Sequence, residues 1–205
     1  MSALKNLADN HDIGHLIAAL LIHERIGGGF DCALDVGAHR GIWTRTISKY
    51  FKNTVAIEPQ ENNFEILNHY FTTEYGIGGG INHVECINAA AGAANAKCAI
   101  SAGTENTGQY HVVNGDGVAV IAIDDLDLKP DFIKFDVEGY ELFAMLGAEK
   151  TIQKHKPTLI IEMNGLSKRY GYDDKKLTIY LQSLGYILMR QENRDYIYAH
   201  KSKTP

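Results

Sequence analysis

Four carboxylates stand where apolar runs give way to turns: Asp35, Glu58, Asp136 and Glu162, with Glu138 just beyond Asp136. Each apolar run reads as a buried strand of an α/β sheet, in which ligands bind beyond the strand carboxyl ends. One acidic residue at such a place is usually a helix cap or a solvated loop side chain. A row of them along one edge is a set of acceptors for hydroxyl donors and positive charge.

The first of these runs, Cys32 to Val36, leads directly into Gly37-Ala38-His39-Arg40-Gly41, and a helix is expected from Ile42 to Phe51. Glycine lets the backbone turn sharply and approach a ligand closely, and Asp35 would face that ligand. Glu58 follows 23 positions later, where an acidic residue can accept hydrogen bonds from ribose hydroxyls. Its alternative role is a favourable charge at the start of the next helix. The first turn lacks the leading glycine of a dinucleotide fingerprint, because Asp35 occupies that place, which disfavours pyrophosphate. A nucleoside ligand without pyrophosphate and with a positive centre fits better, and S-adenosylmethionine has both properties.

The elements that must hold these residues follow in order. A leading amphipathic helix is expected over 13–26, capped by Asn10 or Asp12 and ended by Gly27-Gly28-Gly29. Strands are expected at Thr54–Ile57 and His83–Asn88, with a helix over 61–75 and a glycine-rich connection over 76–82 between them. Residues 93–122 read as an antiparallel β insertion with strands Lys97–Ser101, Gln109–Val113 and Val118–Ile123 and an exposed loop from Gly103 to Gly108. The α/β rhythm then returns: a strand Asp131–Val137, a helix from Tyr140 to His155, a strand Thr158–Met163, a helix over 174–184 and a hairpin of Tyr186–Arg190 with Arg194–His200. The order implies one domain over 1–205, with a mostly parallel twisted sheet covered by helices on both faces.

Composition narrows the class. The 205 residues are 45% hydrophobic and 22% charged with a net charge of −5, as in soluble globular proteins and against a broad electrostatic grip on nucleic acid. No apolar run reaches membrane-span length, and residues 1–10 carry no leader pattern. Cys32, Cys86 and Cys98 each fall in an expected strand without metal or disulfide spacing, which suits a reducing compartment. A cytoplasmic protein is expected. Oligomeric state is not readable.

Asp35 to Gly41, Ile57-Glu58-Pro59, Ile123-Asp124-Asp125-Leu126, Ile160-Ile161-Glu162 and above all Asp131 to Ile152 (DFIKFDVEGYELFAMLGAEKTI) resemble the FkbM-type S-adenosylmethionine-dependent methyltransferases. The family usually has Asn where this chain has His39 and an aliphatic residue where it has Arg40. The resemblance implies a Rossmann-like class I methyltransferase fold, S-adenosylmethionine as cofactor, S-adenosylhomocysteine as product, and a hydroxyl on a sugar or small metabolite as acceptor. It implies that Asp35, with Gly37, Ala38, His39 and Gly41, holds the methionine end; that Glu58 binds the ribose; and that Pro59, Gln60, Ala89 and Ala90 border the adenine. Asp136 would sit by the cofactor amino group or the transferring methyl. Glu138 and Glu162 would face the acceptor, and Lys168 and Arg169 would hold it from the 166–173 loop.

A weakly nucleophilic hydroxyl needs a base. Asp136 and Glu138 are the first candidates, with His39 and His111 behind them. Asp136, Glu162 and Asn164 are also oxygen donors suited to Mg²⁺ or Ca²⁺, but acidic strand ends are common without a metal, and the leading expectation is a site with none. A non-catalytic nucleoside-binding module and a nicotinamide-dependent oxidoreductase are the competing readings.

Overall fold

The computed structural model describes residues 14–73, 83–101 and 110–204. A helix α1 (Gly14–Arg25) precedes β1 (Cys32–Val36), α2 (Ile42–Ile47), β2 (Asn53–Ile57), α3 (Glu61–Thr72) and β3 (His83–Ile87). The insertion contributes β4 (Ala90–Ala91), β5 (Ala96–Ile100) and β6 (Val112–Ile121). Then follow β7 (Phe132–Phe135), α4 (Glu141–Leu146), α5 (Glu149–His155), β8 (Thr158–Glu162), α6 (Asp174–Ser183), β9 (Tyr186–Glu192) and β10 (Asp195–His200). The glycine-rich connection at 76–82, the Gly103–Gly108 loop and the expected caps Asn10 and Asp12 lie outside the described residues.

The main sheet has the order β3-β2-β1-β7-β8-β10-β9. The first five strands run parallel, and the terminal hairpin enters antiparallel with β10 beside β8. This is the expected α/β architecture. The chain reverses its direction of winding between β1 and β7, so the crevice beyond their carboxyl ends is where a ligand fits.

Period-2 alternation supplies a separate core to each face of the sheet. Leu34, Ile133, Ile161 and Tyr198 pack with Leu142, Met145 and Ile152 of α4 and α5 and with Leu177 and Leu181 of α6. Their neighbours Ala33, Phe132, Ile160 and Ile197 pack on the other face with Leu16 and Leu20 of α1 and with Ile47 and Phe51. The leading helix therefore covers the sheet. It is tied to the hairpin by His15 Nδ1 and Asp195 Oδ2 at 2.7 Å.

Three expectations need correction. The helix expected over Ile42–Phe51 stops at Ile47. The helix expected from Tyr140 to His155 is two helices, parted at Gly147-Ala148. A Cβ on Gly147 would stand 1.9 Å from the Gly92 carbonyl oxygen, so backbone meets backbone there. The last two insertion strands are one continuous β6: pairing with β5 jumps from Val113 to Val118 across Cys98/Ala99, so Asn114–Gly117 form a bulge instead of a turn. The third strand of the small sheet is the two-residue β4, parallel to β6. All three cysteines lie in strands and are free; only Cys98 is fully buried.

Candidate active site

A cavity of about 290 Å³ opens at the carboxyl ends of β1, β2 and β7. Of the expected cofactor residues, Gly37, Ala38, His39, Glu58, Pro59, Ala89, Ala90 and Asp136 line it. Of the expected acceptor residues, Glu138 and Glu162 line it, and His111 does too. Asp35, Gly41, Gln60, Lys168 and Arg169 do not.

Each departure has a local cause. Asp35 is fully buried. β1 ends at Val36, as read from the sequence, and alternation turns Asp35, one residue earlier, away from the crevice, under α2, where it accepts a hydrogen bond from Thr44 Oγ1 at 2.6 Å. Gly41 is the left-handed residue before α2, at φ 83°, and a Cβ there would press on Leu67. Gln60 caps α3, its side-chain oxygen accepting from Asn63 N at 2.7 Å. Lys168 and Arg169 sit on the 3₁₀ turn Leu166–Tyr170, exposed to solvent.

Glu58 stands at one end of the cavity. Its Oε2 accepts from His39 N at 2.8 Å and its Oε1 from Gln60 N at 2.9 Å. Burial pushes its pKa up, against these two amide donors. With one backbone donor on each oxygen, the carboxylate has remaining lone pairs to accept from hydroxyls. Two non-glycine residues lining the cavity, His39 (φ 51°) and Glu138 (φ 55°), take the left-handed backbone conformation. Such conformations are held where surrounding structure over-determines them, commonly at functional sites.

At the other end Asp136, Glu138 and Glu162 bring ligand oxygens within 4.8 Å of one another. Burial, reinforced by the Asp136 charge, lifts Glu138 to about 7. Burial and the charges of Asp136 and Glu138 hold Glu162 well above the ordinary carboxylate range. This group differs from the expected oxygen donors: Asn164 donates from Nδ2 to Glu162 Oε2 at 2.8 Å and accepts from Leu166 N, and Glu138 stands with the two acids instead. Glu141 plays a different part from its neighbours. Its Oε1 accepts from Gly139 N and Val137 N, so it closes the β7–α4 turn.

Lys134 is the residue that sequence reasoning missed. It lies on β7 within the apolar run Phe132-Ile133-Lys134-Phe135, and its side chain is only 4% exposed. Its Nζ is 3.3 Å from Asp35 Oδ1, 3.2 Å from Asp136 Oδ2 and 3.3 Å from the Gly37 carbonyl oxygen, to which it donates. Burial alone would pull its pKa down; Asp136 and Asp35 outweigh that and hold it above the usual lysine range. The signal was available, because a lysine in a strand buried on both faces must be paired. Trp43, over whose ring the Lys134 ammonium lies at 5.0 Å, and Tyr140 also line the cavity without having been singled out.

The donor set can be tested against the ligand the sequence suggests. Glu58 offers acceptors to vicinal hydroxyls, and the acidic end suits an ammonium or sulfonium charge. Between them Ile57, Ala89, Ala90 and Ile100 offer small and apolar walls for a flat ring. A nucleoside with a positive centre fits this arrangement.

The family model for the methyltransferase FkbM domain matches residues 35–188. No curated protein matches the chain in sequence. Among solved structures, it is similar to a methyltransferase FkbM from Methylobacillus flagellatus KT, with 23% identity and a TM-score of 0.57 over 96% of this chain; the chain spans 56% of that protein's length. It is also similar to a SAM-dependent methyltransferase from Aquifex aeolicus (16% identity, TM-score 0.51, 97% of this chain and 96% of that one). A ribosomal protein L11 methylase from Lactobacillus delbrueckii subsp. bulgaricus matches with 14% identity and a TM-score of 0.54, over 94% of this chain and 80% of that one. Such different methylases on one architecture mean that the acceptor has to be argued from side chains.

Proposed function

The chain belongs to the FkbM methyltransferase family, and on that premise we propose that it transfers a methyl group from S-adenosylmethionine to a hydroxyl of a sugar or small metabolite. One observation carries the reading: a single cavity has a backbone-held carboxylate, Glu58, at one end and three gathered carboxylates at the other. Bound there, S-adenosylmethionine would supply an electrophilic methyl on a sulfonium centre.

The chain's own residues do the rest. Glu58 accepts from the ribose hydroxyls, with Ala38, His39 and Pro59 beside it, and Ala89 and Ala90 flank the adenine. Asp136 lies beside Lys134 and faces the positive end of the cofactor. Glu138 takes the acceptor's hydroxyl proton on a carboxylate oxygen. With a pKa of about 7 it is a stronger base than an ordinary carboxylate and still substantially ionised near neutrality. Asp35 acts at one remove, by fixing Lys134. Holding the cofactor and the acceptor close together in one cavity would supply much of the acceleration.

The test is transfer of labelled methyl to a panel of hydroxylated sugars, followed by mild alkali. Label retained through alkali marks a methyl ether and supports the reading. Label released as methanol marks a carboxyl ester and contradicts it. The carboxylate-gathered end has its charge met by Lys134 and by a proton on Glu162, so the proposed reaction needs no divalent metal.

A further inference from the structure

A second, more open cavity of about 880 Å³ lies between β5, β6 and the 3₁₀ turn Leu166–Tyr170. It shares His111, Val112 and Tyr140 with the first, so the two lie side by side against one common wall. The hydroxyl of Tyr170 donates to the Val112 carbonyl oxygen at 2.9 Å, fastening the turn to the insertion sheet. The cavity exists only because these two parts of the chain meet.

Its chemistry is opposite to that of the first cavity. Three aromatic rings form one side: Tyr140 stacks on Phe143 with centroids 4.7 Å apart, and Tyr170 meets Tyr140 edge-on at 4.9 Å. Lys97 and Arg169 supply positive charge, and among the described residues no Asp or Glu lines the cavity. Neither cation has a hydrogen bond or an ion pair with another described residue. In a chain of net charge −5 this is a local reversal of sign. Arg169 is also near enough to Glu138 for their charges to act on each other, which links the cation to the proposed base.

Resting on the methyl-transfer reading above, we propose that the outer cavity binds the anionic end of a ring-bearing acceptor, whose hydroxyl then reaches Glu138 in the inner cavity. Stacking on the aromatic side holds the ring face, and Arg169 and Lys97 hold a carboxylate or phosphate. A neutral sugar would leave both cations unmatched, and a cationic acceptor would be repelled. The insertion and the 3₁₀ turn thereby select the acceptor, while the strand ends handle the cofactor.

The experiment is an equilibrium titration of the full chain, saturated with S-adenosylhomocysteine, using three probes of one scaffold. These are phenyl β-D-glucoside, phenyl β-D-glucuronide and phenyl β-D-glucoside 6-phosphate. At least one anionic probe should bind about tenfold more tightly than the neutral one, the scale of a charge-assisted hydrogen bond. The preference should shrink as salt is raised. Which anionic probe wins separates a carboxylate from a phosphate source. Arg169→Gln and Lys97→Gln should each reduce the preference, Arg169→Lys should retain part of it, and S-adenosylhomocysteine affinity should stay unchanged in all three. Equal binding of neutral and anionic probes, no binding of any probe, or a preference untouched by both Gln variants overturns the proposal. If wild type fails to bind S-adenosylhomocysteine, the methyl-transfer reading itself fails and this inference falls with it.

Discussion

Lys134→Met removes from the centre of the site the one buried Lys or Arg among the described residues. Nζ lies 3.3 Å from Asp35 Oδ1. At an effective dielectric constant of about 20, that separation corresponds to an attraction of about 5 kcal/mol. Burying both charges costs a comparable amount, so the intact pair is worth little against a well-packed apolar pair. The single substitution is different. Asp35 is fully buried, and with Lys134 gone only the Thr44 hydroxyl would face its charge. An uncompensated buried charge of this kind costs about 3–5 kcal/mol. Asp136, with 35% of its side chain exposed, can hydrate and should add little. Urea unfolding with linear extrapolation measures the loss. Adding Asp35→Asn to Lys134→Met should restore more than half of it, because the amide keeps an acceptor for Thr44 without the charge. A loss below about 1 kcal/mol for Lys134→Met, or strictly additive effects in the double-mutant cycle, would refute the argument that charge pairing holds this site together.

Other outcomes follow from the same geometry. Glu138→Gln should lower kcat by a factor of about 10²–10⁴, with S-adenosylhomocysteine affinity unchanged by calorimetry. In the wild type, kcat/KM should rise with pH through about 7 and level off above it, because the base works as the carboxylate; Glu138→Gln should abolish that limb. Glu141 is raised to about 7 by burial, so the folded state holds its proton more tightly than the unfolded chain does. Its contribution to stability is full below the unfolded carboxyl range and is lost as pH rises through about 7, and Glu141→Gln should flatten that segment of a stability-against-pH curve. Gly37→Ala places a Cβ 1.8 Å from the Asp136 carbonyl oxygen at φ 83°, and should abolish cofactor binding together with much of the stability, read by thermal unfolding with and without S-adenosylhomocysteine. Chelation with EDTA should leave methyl transfer unchanged.

Much of the architecture was legible because it depends on periodicity. The continuous apolar runs at Cys32–Val36, Phe132–Phe135 and Thr158–Glu162 are what central parallel strands require. What escaped depended on contacts between distant residues. The break at Gly147 comes from the Gly92 carbonyl, and the continuity of β6 through Asn114–Gly117 from Gly115 fitting against Ala99. Neither partner can be seen from local pattern. In the site, residues named from strand ends line the cavity where the backbone alone determines their place, as with Glu58 and Glu138. Asp35 lies in a strand read with its observed bounds, Cys32–Val36; what the expectation of a ligand-facing Asp35 passed over is that period-2 alternation puts it on the face opposite to Val36. Lys134 was readable as an anomaly but not as a partner of Asp35 and Asp136, since that requires the β1–β7 register to be known.

The account stands or falls on whether the inner cavity binds the proposed cofactor through Glu58. Calorimetric titration of wild type and Glu58→Ala with S-adenosylhomocysteine, with NAD⁺ in parallel, measures this directly. The account predicts binding of S-adenosylhomocysteine to wild type, weakening of about tenfold or more in Glu58→Ala as hydrogen bonds to a charged group are lost, and no binding of NAD⁺. Folded wild-type protein that fails to bind S-adenosylhomocysteine, or binds it equally well without the Glu58 carboxylate, would contradict it.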